Sequence, residues 1–127
     1  MPTRIELSLR LPNSPGALAG VCRLLSDERV NIAALSLDGA GQLRLVVDNH
    51  ILGAGALRAR HHQVSERDVL VLAIANAPGG LGPVVRLVAD AGVNVDYAYG
   101  GGPDGATGAV VVLGVDDAQR AAAAAGV

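Results

Sequence analysis

The chain has no Trp, no Phe and no Lys, a single Cys and two Tyr. Without a set of aromatic rings it has no platform on which the bases of a single strand could stack, which excludes that mode of nucleic-acid recognition. All ten cations are arginines, and against twelve Asp and Glu they leave a formal charge of −2. They form no basic run, so neither nucleic acid nor an anionic membrane is expected as an electrostatic partner. A lone Cys22 cannot close an internal disulfide, which fits a reducing compartment. The longest charge-free stretch, residues 69–85, is broken by Asn76, Pro78 and three glycines and is not a membrane span. Residues 1–10 alternate apolar and polar side chains and lack a signal peptide's apolar centre. The expected compartment is the cytoplasm.

What the 127 residues do contain is small and aliphatic: half are hydrophobic, and 17 are Gly. They also contain a repeat. A shift of 63 lays residues 13–32 over 76–95 with identities at Asn13, Pro15, Gly16, Leu18, Val21, Arg23, Leu24, Asp27, Val30 and Asn31, 10 of 20 without a gap. Two modules follow, residues 1–66 and 67–127. Their join near Ser65 to Asp68 has no Pro/Gly linker, so they are expected to pack side by side.

Each module reads alike. In the first, Ile5, Leu7 and Leu9 alternate with Arg4, Glu6, Ser8 and Arg10, the period of a strand with one wet face. A turn follows, with Pro15 expected at the first helical position, then Leu18, Val21, Cys22 and Leu25 on one helix face. The matching face in the second module is Leu81, Val84, Val85 and Val88. A strand from Val30 or Val93, a hairpin, a strand over residues 43–47 or 109–115, and a helix over residues 50–60 or 118–125 complete the pattern. The first module adds an extended piece, residues 62–65, and in the second that last strand is short or absent. The fold class is α+β, two tandem ferredoxin-like βαββαβ modules. The second module's strands, residues 69–75 and 109–115, are apolar on both faces, which predicts burial of its open sheet face in a homodimer.

Asn-x-Pro-Gly-x-Leu, a helix of about three turns, then Val-Asn-Ile or Val-Asn-Val leading into a strand: this arrangement resembles the ACT domain, and the whole chain resembles stand-alone tandem-ACT proteins. The resemblance implies a non-catalytic regulatory protein binding an amino acid or similar small effector at the interface between modules, with a regulated enzyme as partner. Carried over position by position, the ligand-binding residues are Asn13, Ser14, Pro15, Gly16, Ala17 and Leu18 with Asn31 and Ile32. Their second-module equivalents are Asn76, Ala77, Pro78, Gly79, Gly80 and Leu81 with Asn94 and Val95. If the two modules of one chain are the pair, the resemblance sets Asn13 with Asn94 and Asn76 with Asn31; pairing between chains would instead combine like modules across the dimer. Chemistry suits these positions: helix N-termini offer unpaired N–H groups to a carboxylate, and Asn presents both donor and acceptor to a zwitterion. Equally, Asn before Pro-Gly serves turns and caps. In the serine-sensing dehydrogenase version of the module a His stands two residues before the loop Asn, where this chain has Leu11 and Ile74. Small pocket walls, Ala17, Gly80, Ala33 and Ala34, against the bulkier Tyr97 and Tyr99, predict that the two sites differ.

No catalytic set, metal site or cofactor is expected. Cys22 matches Val85 on an apolar helix face and reads as core. His61 and His62 lack a second ligand cluster at metal spacing. Arg23 and Arg86 read as solvated, Asp116 and Asp117 as a helix cap, and residues 100–105 as a hairpin tip. The alternative function is an interaction module with lapsed ligand sites, acting through the apolar sheet face of the second module.

Overall fold

A computed structural model describes residues 3–126. In chain order the elements are β1 (Thr3–Arg10), α1 (Ala17–Asp27), β2 (Ile32–Leu37), β3 (Gln42–Val47), α2 (His50–Ala59), β4 (Ser65–Ala75), α3 (Gly82–Asp90), β5 (Val95–Gly101), β6 (Gly108–Val115) and α4 (Ala118–Ala125). The chain is therefore α+β, with the strand–helix–strand–strand–helix order given twice. It forms two compact units: Ile5–Arg67, and the residues from Asp68 on together with Thr3 and Arg4.

Both units carry the same antiparallel strand order, β2-β3-β1 in the first and β4-β6-β5 in the second. Equivalent core pairs meet across equivalent strands. Leu7 faces Leu45 and Leu9 faces Leu43, while Leu70 faces Leu113 and Leu72 faces Val111. Each unit has its own aliphatic core. Leu7, Leu25, Leu43, Leu45 and Leu57 are fully buried in the first, and Leu70, Val88 and Ala121 in the second. Period-two alternation supplies the strand contribution, and the Val21/Leu25 and Val88 faces supply the helical one.

Three local features differ from the sequence expectation: the start of α1, the piece over residues 62–65, and Glu6. Pro15 precedes α1 instead of opening it, because Gly16 takes a left-handed φ of 85° and becomes the N-cap. The helix that does start with proline is α3, through Pro83. The extended piece over residues 62–65 is not a separate strand. Only Ser65 is in a ladder, as the first residue of the 11-residue β4, and His62 to Val64 lie outside any strand. Among the described residues no strand follows α4, which ends at Gly126 in a left-handed cap with φ 76°. Finally, Glu6, assigned to the wet face by alternation, is 1% exposed. No buried side-chain oxygen or nitrogen among the described residues lacks a hydrogen-bond partner, the condition under which a carboxylate can be buried.

Helices α2 and α4 share a device. Asn49 accepts the Leu52 N–H at 3.0 Å, and Asp117 accepts the Arg120 N–H at 3.0 Å. Each side chain satisfies one of the four orphan donors at a helix start. Asn49→Ala and Asp117→Ala are each expected to lose about 1 kcal/mol in a denaturant titration.

Candidate functional site

The two Pro-Gly loops are built alike. In the first, the Ser14 carbonyl accepts the Ala17 N–H at 3.3 Å and Gly16 stands at φ 85°. In the second, the Ala77 carbonyl accepts the Gly80 N–H at 3.0 Å and Gly79 stands at φ 81°. A side chain in that left-handed region costs about 1–2 kcal/mol, so both glycines are required by the turn itself. Neither Ser14 nor either loop Asn caps a helix by its side chain. At Gly80 a Cβ would collide with the Ala75 carbonyl, whereas its equivalent Ala17 carries one. The second loop thus lies tightly on the end of β4, and α3 starts two residues later in the repeat than α1.

The loop asparagines have different surroundings. Asn13 makes no hydrogen bond among the described residues, so its amide is available to a ligand. Asn76 is tied to the β5–β6 connection: its N–H donates to the Thr107 carbonyl at 3.0 Å and its Nδ2 to the Ala106 carbonyl at 3.0 Å. Only its Oδ1 is left to accept.

Asn31 and Asn94 are held by a clasp that sequence reasoning missed. The Asn31 N–H donates to Asp48 Oδ1 at 2.9 Å, and the Asp48 N–H returns to the Asn31 carbonyl at 3.1 Å. Asn94 and Asp116 repeat both bonds, at 3.2 Å and 3.3 Å. The clasp fixes the backbone just before β2 and β5. The Asn31 side chain stays exposed and unbonded, whereas Asn94 Nδ2 donates to Asp96 Oδ1 at 2.8 Å. Ile32 and Val95, next in line, pack on the cores of their units.

Two cavities of the first unit take up residues selected from sequence. One, of about 140 Å³, is lined by Asn13, Ser14, Gly16, Ala17 and Leu18 against Leu37, Asp38 and Gly41 of the β2–β3 hairpin. It is room for a ligand of a few heavy atoms, given roughly 30 Å³ per water molecule. The other, more open and about 360 Å³, holds Asn31 and Ile32 with Cys22, Ser26 and Arg29. Pro15, Pro78 and Gly79 are exposed, and Leu81 is 37% exposed at the start of α3. Tyr97 and Tyr99 stack on each other, ring centroids 6.4 Å apart and 10° from parallel. A Cβ on Gly114 would run into the Tyr97 ring, and Tyr99 sits opposite Val112, which is fully buried. The tyrosines thus cover part of the second unit's sheet, and some of the apolar face expected to seek a partner is covered by the chain itself.

No protein-family model matches the chain, and no curated protein matches it either. Solved structures do. A protein of Bacteroides thetaiotaomicron is 27% identical, with TM-score 0.87, covering 97% of this chain and 86% of its own. The ligand-free regulatory subunit of aspartate kinase from Thermus thermophilus is 18% identical with TM-score 0.72, covering 99% of this chain and 91% of its own. Aspartokinase III of E. coli, solved in complex with lysine and aspartate, is 17% identical with TM-score 0.60, over 94% of this chain and 29% of its own. The fold is that of a tandem-ACT protein. It is shared, over nearly the whole chain, with the regulatory subunits of aspartate kinase. No helix among the described residues is long and apolar enough to cross a membrane.

Proposed function

We propose that this chain is a non-catalytic, cytoplasmic regulatory protein that binds an amino acid or similar small effector at interfaces between ACT modules. The modules of this reading are residues 1–66 and 67–127. The ligand's carboxylate meets the unpaired N–H groups behind the Pro-Gly loops, and Asn13, Asn31, Asn76 and Asn94 supply side-chain donors and acceptors. The observation that carries the reading is the repeated loop: the same turn bond and the same left-handed glycine, 63 residues apart, on a fold shared with aspartate kinase regulatory subunits. The E. coli enzyme's complex with lysine supports an amino acid as the ligand class. Binding biases a regulated enzyme only in so far as the ligand prefers one of two states of the assembly.

Calorimetric titration with the twenty amino acids tests this. One of them is expected to bind, and Asn76→Ala or Asn31→Ala is expected to weaken it at least about tenfold, the loss of one or two hydrogen bonds to charged groups. Absence of binding at millimolar concentration would leave the interaction-module reading. That reading is favoured by Val110, 45% exposed on the second unit's sheet face. In either case we propose a homodimer, and a light-scattering mass equal to one chain at micromolar concentration would overturn that part.

A further inference from the structure

A cavity of about 840 Å³ in the first unit runs from Pro12, Gly16 and Ala17 along α1 to the turn that follows α2, with Asn13 and Asn31 outside its lining. Its apolar wall is Leu11, Val21 and Leu24, the first two almost fully buried. Its polar lining is Arg23 and Asp27 from α1, and Arg60, His61 and His62 from the turn. Arg23, Asp27 and Arg60 form no ion pair or side-chain hydrogen bond with any described residue. Two guanidinium groups against one carboxylate leave the lining with an excess positive charge, and each imidazole adds an N–H donor. Unpartnered arginines above an apolar floor suit an oxyanion attached to a hydrocarbon body, because the fork of guanidinium donors matches carboxylate or phosphate oxygens.

The backbone of the turn gives a second, independent reason. The Arg60 and His62 N–H groups both donate to the Leu57 carbonyl and the His61 N–H donates to that of Arg58, wrapping the chain over the end of α2. This places His61 at φ 69°, in the left-handed position where helix ends take glycine. The end of α4 does use glycine there, Gly126 at φ 76°. A bulky side chain held at such a position is strain of the kind retained at ligand sites.

We infer that the first unit has a binding site for a small organic anion, a carboxylate or phosphate bearing an apolar tail, held by Arg23, Arg60 and His61 over Leu11, Val21 and Leu24. It shares Gly16 and Ala17 with the first Pro-Gly loop but none of the four asparagines, so the two sites are tested by different variants. Isothermal titration of the full chain with valerate, butyl phosphate, inorganic phosphate and acetate tests it. At least one of the two tailed anions is expected to bind, about tenfold or more tighter than its tailless counterpart, since each buried methylene adds to affinity. The preferred head group identifies the natural ligand as carboxylate or phosphate. Arg60→Gln and Arg23→Gln are each expected to weaken binding about tenfold, and Arg86→Gln, the second-unit equivalent of Arg23, to leave it unchanged. His61→Gly is expected to raise the melting temperature while lowering affinity, an outcome that loss of folding cannot mimic. No saturable binding by either tailed anion, affinity unchanged in either arginine variant, or His61→Gly binding as tightly as the parent chain overturns the assignment. Because these probes carry no ammonium group, and Asn31 and Asn76 lie outside the cavity, failure here leaves the amino-acid reading untouched.

Discussion

Gly41→Ala is expected to destabilise the first unit by about 2–4 kcal/mol, a large fraction of a small domain's stability. Two effects combine. Gly41 stands at φ 87°, where a β-carbon is strained by about 1–2 kcal/mol. That β-carbon would also collide with the Leu11 backbone carbonyl. Leu11 has little room to retreat, because its side chain is 5% exposed and its N–H donates to the Gly41 carbonyl at 2.8 Å. The hairpin is no freer: Asp38 Oδ1 accepts the N–H groups of Ala40 and Gln42, and Arg10 Nη1 donates to the Ala40 carbonyl at 2.8 Å. Gly39, two residues earlier, has open space around its β-position and no left-handed φ, so Gly39→Ala is expected to stay within about 0.5 kcal/mol of the parent. Urea titrations of the two variants, followed by far-ultraviolet circular dichroism, check the contrast. Equal midpoints would show that the hairpin gives way without cost. Since Gly41 also lines the cavity beside Asn13, the same variant is expected to weaken any amino acid bound at that loop.

The sequence made the repeat legible, and with it most of the fold, because a shift of 63 aligns everything from the first strand of each module to the start of its second. Beyond that point the shift becomes 68, since Asn94 and Asp116 are 22 residues apart where Asn31 and Asp48 are 17, through longer strands as well as a longer connection. Only at that second offset do Leu45 and Leu113, Asp48 and Asp116, and Asn49 and Asp117 fall into line. The clasps on Asn31 and Asn94 were hidden for this reason: their partners are acids 17 and 22 residues away, reached across a hairpin of variable length. Asp116 read as half of a helix cap, and in the fold Asp117 alone caps while Asp116 turns back to Asn94. Glu6 failed for another reason. A period-two pattern sees the pleat of one strand and not what covers it, so an acid buried with partners looks the same as a solvated one. Arg23 is exposed, as its angle from the apolar stripe implied, and what one helix cannot show is that the turn after α2 brings Arg60 and His61 to the same cavity.

Leu45→Ala in the first unit and Leu113→Ala in the second are each expected to cost about 3–5 kcal/mol, the upper part of the range for buried leucines. Leu45 is fully buried on β3 between Leu7 of β1 and Leu35 of β2, and Leu113 is 1% exposed on β6 between Leu70 of β4 and Ala98 of β5. Neither can be rescued by a large ring swinging into the space, because neither core contains a Trp or Phe. Branched aliphatic chains held by a ladder of paired strands relax little, so most of the cavity persists. A unit of about 60 residues buries only about 60% of its unfolded surface and has little reserve against such a loss. The composition also decides how the experiment is read. With no Trp, the near-ultraviolet signal comes from Tyr97 and Tyr99, both in the second unit, while far-ultraviolet dichroism follows both units. Leu113→Ala is expected to move the tyrosine transition to lower urea, and Leu45→Ala to move the far-ultraviolet transition. Val110→Ala, at a position 45% exposed, is expected to change either by less than about 1 kcal/mol. A loss below about 1 kcal/mol at Leu45 would mean that the first core closes over the missing methyls, and that the aliphatic packing read from both sequence and fold does not hold that unit together.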